Sequence, residues 1–170
     1  MTVSANIILG SDGSTALAGS SRALTDTVDR ERFHKIRSGA DAILIGGNTA
    51  RTEPYGKTPV PLLIVSKRSE IPELVRANPL ASVWNLPPMA ALQKALADFG
   101  QNILIESGPK LLLELLRERA VDELFITISP KTGGEVRIEI SELTDGFVET
   151  SREEVSGTIF LKFLKINLIN

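Results

Sequence analysis

The 170-residue sequence contains no cysteine and only one histidine. The absence of cysteine excludes disulfide bonds, thiolate catalysis and every metal site built on thiolate ligands. A single histidine also excludes zinc sites that need two imidazole ligands, so we expect no bound metal. The chemistry must then come from carboxylates, hydroxyls, backbone groups or a bound cofactor. The lack of cysteine also fits a cytoplasmic location, which we expect.

Long apolar runs and clusters of basic residues are missing as well. No apolar run approaches the ~18 residues of a membrane-spanning helix, and the polar start MTVSANII lacks the basic n-region of a signal peptide. The formal net charge is −2, which does not indicate a nucleic-acid surface. We therefore expect neither a membrane nor a nucleic acid as partner. An anionic ligand must be held by a few local cations and helix N-termini.

The remaining composition is typical of a globular α/β protein. The chain is 42% hydrophobic and 24% charged, and its length suits one domain, which we assign to residues 1–170. Short apolar runs alternate with amphipathic helical patterns. This predicts three layers: a mostly parallel sheet, helices on both faces, and antiparallel strands at the C-terminal end. Strands are predicted at 3–9, 41–45, 60–65, 81–85, 102–105, 124–128 and 158–169, a loop at 10–21, and helices at about 25–37, 88–99 and from 109 onward.

Two predicted strand-to-helix junctions contain the small residues of phosphate-binding turns. The first is AILIGGNT at 42–49, and the second is ILIESGP at 103–109. In each, a ligand can approach the backbone where a helix presents free N–H groups and the positive end of its dipole. Glycines also make ordinary tight turns, and neither stretch is the dinucleotide fingerprint GxGxxG. Two junctions in one small domain favour a dinucleotide, because its pyrophosphate can lie between them.

Polar residues near the predicted strand ends are further candidates for ligand contacts. Ser66, Lys67 and Arg68 follow a predicted strand, where two cations could hold the 2′-phosphate of NADP or form an ordinary solvated turn. Asp12 belongs to an Asp-Gly pair, which by itself favours a turn. Glu106 ends a buried strand, where a carboxylate needs a partner or a ligand.

The order of these pieces resembles the reductase domain of bacterial and archaeal riboflavin-biosynthesis enzymes, within the dihydrofolate-reductase-like superfamily. The most specific matching stretches are HKIRSGADAILIGGNT at 34–49 and VDELFITISPKTGG at 121–134, and the resemblance covers nearly the whole chain. Members of this family reduce a phosphoribosylamino-pyrimidinedione to its ribitylamino form with NADPH. The resemblance therefore implies a dihydrofolate-reductase-like α/β fold, NADPH as cofactor and a homodimer.

The resemblance also implies roles for individual residues at matching positions. The cofactor would contact glycines and hydroxyl-bearing residues, namely Gly46, Gly47, Thr49, Ser66, Ser107 and Gly108. The substrate would be bound by Asn6, Ser21 and Arg37, with Ser21 and Arg37 on its phosphate. Three carboxylates would face the pyrimidine and ribose, and any of them could deliver the proton that the reduction requires: Asp12, Glu53 and Glu106.

The sequence departs from the family pattern mainly at positions that concern the substrate. Ser14 stands where the family often has lysine, and Glu53 replaces an aspartate in a stretch one residue shorter. A family arginine just beyond has no match except Lys57, and Ser107-Gly108 replaces a double glycine. Two alternatives therefore stay open. One is a reductase of the same fold acting on another pterin- or pyrimidine-like substrate, and the other is a nucleotide-binding paralogue without turnover.

Overall fold

The computed structural model describes residues 1–166, which form ten β-strands and six α-helices. The strands are β1 (Thr2–Gly10), β2 (Ser14–Ala16), β3 (Ala42–Gly46), β4 (Leu62–Val65), β5 (Ala81–Trp84), β6 (Asn102–Ile105), β7 (Glu123–Ser129), β8 (Glu135–Arg137), β9 (Phe147–Val155) and β10 (Thr158–Lys165). The helices are α1 (Thr27–Arg37), α2 (Gly47–Thr52), α3 (Glu73–Arg76), α4 (Pro88–Asp98), α5 (Pro109–Arg117) and α6 (Ile140–Thr144). No helix within this range is both long and apolar enough to cross a membrane.

Eight strands form one sheet in the order β5-β4-β3-β6-β1-β7-β10-β9. The first six are parallel, and β10 and β9 complete the sheet as antiparallel strands. The chain moves outward from β1 through β3, β4 and β5, then returns with β6 between β3 and β1. In open α/β sheets, ligands bind beyond the carboxyl ends of the strands at such a reversal of strand order.

Two hydrophobic clusters hold helices against the two faces of the sheet. Strand β3 contributes Ala42 and Leu44 to the cluster that packs α4 and α5, and Ile43 and Ile45 to the cluster that packs α2 and α3. A parallel strand covered on both faces must be apolar on both, which explains why every residue of β3 is buried. The predicted mostly parallel sheet with helices on both faces and an antiparallel C-terminal end is confirmed.

The caps of α1 and α5 follow from local sequence. The Asp26 carboxylate accepts a hydrogen bond from the N–H of Asp29 at 2.7 Å, which fixes the start of α1. Helix α5 begins with Pro109 after Gly108, an arrangement in which the missing N–H of proline costs nothing. Its buried residues are four leucines on one side of the helix: Leu111, Leu112, Leu115 and Leu116.

The sequence-based prediction was incomplete in the loops and near the C-terminus. Residues 10–21, predicted as a loop, contain β2, which pairs with β8. Strands β8 and β9 and helix α6 were not predicted. Seven consecutive residues of β9 are exposed, so this strand lacks the alternating apolar pattern that identifies a half-buried strand. The predicted strand 158–169 is confirmed over Thr158–Lys165, and 167–169 lie outside the described residues.

Candidate active site

The two glycine junctions predicted from the sequence lie side by side, because β3 and β6 are adjacent and parallel. The N–H of Gly46 donates a hydrogen bond to Ser107 Oγ at 3.1 Å. The N–H of Gly108 donates one to Thr49 Oγ1 at 3.0 Å. These two crossed bonds tie the turn between β3 and α2 to the turn between β6 and α5.

The two turns contain three glycines, and we call the region that they border, beyond the carboxyl ends of β3 and β6, the crevice. The three glycines differ in the room that their missing side chains leave. A Cβ on Gly46 would lie 2.9 Å from Ser107 Oγ, and one on Gly47 would lie 2.5 Å from Ser66 Oγ, so both glycines are needed for close packing. A Cβ on Gly108 would find its nearest protein atom 3.7 Å away, which is an ordinary contact. Gly108 therefore borders open space at the start of α5, whose first N–H groups receive no side-chain cap. A phosphate group fits such a place.

Two exposed cations lie beside the crevice, next to the carboxyl end of β4. Lys67 and Arg68 are exposed directly after β4, which neighbours β3 on the side away from β6. Ser66 Oγ accepts a hydrogen bond from the N–H of Arg68 at 3.1 Å, which shapes this turn. Neither cation forms an ion pair with any of residues 1–166. Both are therefore available to an anion.

Glu106, just beyond β6, is buried among charged and aromatic side chains. Arg37 donates from Nε to Glu106 Oε1 at 2.8 Å and from Nη2 to Oε2 at 2.6 Å, and the Tyr55 hydroxyl donates to Oε2 at 2.9 Å. The guanidinium also stacks 4.0 Å from the ring centroid of Phe33. The side chains of Arg37 and Glu106 are only 12% and 2% exposed, so this is a buried ion pair. Because a buried arginine binds both of its carboxylate oxygens, Glu106 fits an anchor better than a proton donor.

Tyr55 and Arg37 keep their protons at neutral pH. Burial raises the pKa of Tyr55 well above its usual value, and the neighbouring Glu106 carboxylate raises it further. Burial alone would lower the pKa of Arg37, but the hydrogen bonds and charge of Glu106 outweigh it and raise that pKa overall. The anchor therefore consists of a cation and a neutral phenol around one carboxylate.

Asp12 closes the loop after β1. Its carboxylate accepts hydrogen bonds from Ser14 Oγ at 2.7 Å and from the N–H of Gly133 at 2.9 Å, and it pairs with Arg137 at 3.0 Å. The bonds from Ser14 and Gly133 lower the pKa of Asp12 to about 2. At neutral pH it has no proton to give. These contacts count against the expectation that Asp12 delivers a proton and indicate a loop-closing role.

Glu53 is half-buried and borders a cavity of about 340 Å³ that is also lined by Ser20, Arg22, Arg51 and Thr52. Its carboxylate accepts hydrogen bonds from Ser20 Oγ at 2.9 Å and from the N–H of Ser21 at 2.6 Å. These bonds join the segment after α2 to the segment before α1. Asp12 borders a second cavity of about 300 Å³, whereas Glu106 lines neither of these two cavities.

The predicted substrate residues fall into two groups. The register of β1 against β6 pairs Ala5 with Ile105, so Asn6 and Glu106 are the next residues along these two strands, and Arg37 contacts Glu106. Ser21 instead lies with Glu53. Ser21 and Arg37, both expected on the substrate's phosphate, thus contact different carboxylates, Glu53 and Glu106.

Sequence reasoning missed Tyr55 and the residue that holds its loop. Tyr55 is the sole tyrosine of the chain, and its contact with Glu106 spans 51 residues, so no local pattern announces it. Asn78, which is buried, donates from Nδ2 to the Tyr55 carbonyl at 3.2 Å and to Thr58 Oγ1 at 3.0 Å. A lone polar aromatic residue two positions after a candidate carboxylate was the signal available.

Comparisons with known sequences identify relatives of the chain. The family model described as "RibD C-terminal domain" matches residues 1–148. The riboflavin biosynthesis protein PYRR, chloroplastic, of Arabidopsis thaliana is 29% identical over 118 residues. That match covers 65% of this chain and 19% of the relative, so the chain spans about a fifth of that protein's length.

Solved structures share the fold at low sequence identity. A pyrimidine reductase-like protein from Corynebacterium diphtheriae aligns with a TM-score of 0.76 and 22% identity, covering 98% of this chain and 92% of that chain. RibD of Acinetobacter baumannii aligns with a TM-score of 0.75 and 17% identity, over 98% and 58%. A deaminase/5-amino-6-(5-phosphoribosylamino)uracil reductase from Thermotoga maritima aligns with a TM-score of 0.69 and 18% identity, over 97% and 56%. The predicted dihydrofolate-reductase-like architecture is confirmed.

Proposed function

The chain belongs to the family of RibD C-terminal domains, and on that basis we propose that it is an NADPH-dependent reductase. Its substrate is a phosphoribosylamino-pyrimidinedione, which it converts to the ribitylamino form in riboflavin biosynthesis. The observation that carries the proposal is the pair of turns at the carboxyl ends of β3 and β6, joined by two crossed hydrogen bonds at the reversal of strand order. The name of the Arabidopsis relative assigns that protein to riboflavin biosynthesis, and the name of the T. maritima protein includes 5-amino-6-(5-phosphoribosylamino)uracil reductase; both names support the substrate class.

The crevice fits the phosphates of a dinucleotide. The open space at Gly108 lies where α5 has uncapped N–H groups, and two exposed cations stand one strand further out. When NADPH is bound there, it supplies the hydride for the reduction. The residues that would hold the pyrophosphate are Gly46, Gly47, Thr49, Ser107 and Gly108, and those that would hold the 2′-phosphate are Ser66, Lys67 and Arg68.

We propose that Glu53 delivers the proton to the leaving ring oxygen. Its half-buried side chain borders a cavity and accepts hydrogen bonds from neutral donors, whereas a buried arginine binds both oxygens of Glu106 and Asp12 has a strongly lowered pKa. Asn6, Ser21 and Arg37 would bind the substrate, and the chain's main contribution would be to hold the reacting carbons in contact and exclude water.

The pairing of Arg37 with Glu106 favours a second candidate function. Arg37 can reach a substrate phosphate only by giving up part of a bidentate contact that is almost fully buried. The second candidate is a reductase of the same fold whose pyrimidine- or pterin-like substrate lacks a phosphate. In such an enzyme Arg37 can keep both hydrogen bonds to Glu106.

The test is a steady-state assay of NADPH oxidation, followed by the loss of its near-ultraviolet absorbance. The phosphorylated pathway intermediate and its dephosphorylated analogue are compared as substrates. We expect turnover with a clear preference for the phosphorylated compound. Equal turnover would favour the second candidate, and NADPH binding without turnover of either compound would indicate a non-catalytic paralogue.

A homodimer is also part of the proposal. Within residues 1–166, β9 is the last strand of the sheet, and both of its faces are exposed over seven residues. An exposed edge of this length presents free backbone donors and acceptors to a second strand. Size-exclusion chromatography with light scattering tests it, and a monomer at micromolar concentration would contradict it.

A further inference from the structure

Arg51 is an exposed cation to which the proposed function gives no role. It stands in the last turn of α2, four residues after Gly47. Its Nη1 lies 3.3 Å from the point that a Cβ of Gly47 would occupy. Long side chains on a helix lean toward its N-terminus and lie over the residue four positions earlier. The guanidinium therefore covers the glycine turn instead of extending away from it.

The hydroxyl of Ser66 converges on the same point from the neighbouring strand. Ser66 Oγ, just beyond the carboxyl end of β4, lies 2.5 Å from the Cβ position of Gly47. Because Gly47 has no side chain, Ser66 packs directly against it and the Arg51 guanidinium lies close to the same point. An oxyanion at the surface beside Ser66 can contact both the hydroxyl and the guanidinium, and a larger residue at position 47 would displace Ser66.

The charges around Arg51 favour an anion. Among residues 1–166, no carboxylate forms an ion pair with Arg51. Glu53, two residues further on, is held by Ser20 and Ser21 instead. Lys67 and Arg68 add two exposed cations next to Ser66. Three cations on the segments that follow the adjacent strands β3 and β4 raise the local positive potential.

We propose that Arg51 binds the 2′-phosphate of NADPH and, together with Ser66, determines the preference for NADPH over NADH. This inference rests on the proposed function. Strand β4 lies on the far side of β3 from β6, so an oxyanion at Ser66 sits roughly one strand spacing, ~4.8 Å, outside the crevice proposed for the pyrophosphate. The 2′-phosphate is the cofactor's remaining phosphate, and the outer position is the one left for it.

The test compares the variant Arg51→Gln with the wild-type protein by isothermal titration calorimetry, using NADPH and NADH as separate ligands. Loss of a charge-assisted hydrogen bond at an exposed site should raise the Kd for NADPH by roughly tenfold or more. The Kd for NADH should stay within about twofold of the wild-type value, since that cofactor lacks the phosphate. Arg117→Gln is the matched control, because Arg117 is also an exposed arginine in the last turn of a helix, at the far end of α5 from Gly108. It should change neither Kd.

Each other outcome overturns the assignment. An equal rise in both Kd values would move Arg51 to the pyrophosphate, and unchanged Kd values would remove it from the cofactor altogether. A raised KM for the phosphorylated substrate with an unchanged Kd for NADPH would assign Arg51 to the cavity beside Glu53. If the wild-type protein binds neither nucleotide, the proposed function fails as a whole, a result distinct from any difference between the variants. Thermal melts monitored by circular dichroism establish that both variants are folded.

Discussion

Replacing Arg37 by methionine tests the buried ion pair. Methionine keeps an apolar stem against Phe33 but removes both hydrogen bonds to Glu106. The Glu106 side chain, 2% exposed, then retains a single donor, the hydroxyl of Tyr55. Breaking a buried pair by removing one partner costs ~3–5 kcal/mol, because a buried charge is left uncompensated. Since one donor remains, we expect the lower end, a loss of about 3 kcal/mol in the free energy of unfolding.

Urea unfolding at neutral pH, monitored by circular dichroism, measures this loss. A domain of this size has a free energy of unfolding of about 5–15 kcal/mol, so the variant should still fold. The double variant Arg37→Met/Glu106→Leu is the control, because it removes both charges. Apolar replacement of a complete buried pair is often neutral, but the buried Tyr55 hydroxyl loses its acceptor, so only part of the lost stability should return.

A loss below ~1 kcal/mol for Arg37→Met would refute this reasoning, since that is the value of a solvent-exposed pair. It would mean that Glu106 reaches water in solution and that Arg37 is free to leave it for a substrate phosphate. A double variant less stable than the single one would also contradict the argument, because the buried carboxylate would then not be the source of the cost.

Three further predictions concern the crevice and the loop after β1. Replacing Lys67 and Arg68 together by alanine should weaken NADPH binding by about 1.5 kcal/mol or more and leave NADH binding unchanged. An equal loss of binding free energy for both nucleotides in calorimetry would contradict the assigned 2′-phosphate contact. Gly108→Val should abolish NADPH binding with an unchanged circular dichroism spectrum, because a Cβ at this position makes only an ordinary contact, 3.7 Å from Thr49 Oγ1. Gly47→Val should instead lower the melting temperature, because its Cβ would clash with Ser66. Normal NADPH binding by Gly108→Val would place the pyrophosphate elsewhere. Asp12 has a pKa of about 2 in the folded protein against ~3.9 unfolded, so the stability that it contributes is present above pH ~4 and is lost as the pH falls through 2. Asp12→Asn should therefore show a smaller drop in melting temperature between pH 4 and 2 than the wild-type protein. An equal drop in both proteins would refute this.

The parts of the site that the sequence predicts are those encoded within one short stretch. The crevice could be anticipated because each junction carries its own signal, an apolar strand followed by small residues such as Gly46 or Gly108 and then a helix. Parallel strands bring such junctions to one edge of a sheet, so local patterns were sufficient to bring them together. The same holds for α1, whose cap at Asp26 is read directly from sequence.

The cluster around Glu106 could not be predicted, because its members are distant in the chain. Arg37 and Glu106 are 69 residues apart, and only the return of β6 between β3 and β1 brings them together. A carboxylate at the end of a buried strand indicates that a hydrogen-bond or ion-pair partner is present, but it does not identify that partner. Strand β9 was missed for a different reason: with both faces exposed, its charged residues satisfy no periodic apolar pattern.

The crossed hydrogen bonds between the two glycine turns have a consequence for binding kinetics. Because Ser107 holds Gly46 and Thr49 holds Gly108, neither turn can reorient without breaking a bond to the other. The entropy of ordering these turns is lost when the chain folds and not when a ligand arrives. Association at this crevice should therefore follow a single phase whose rate rises linearly with ligand concentration, with no slow isomerisation after the encounter.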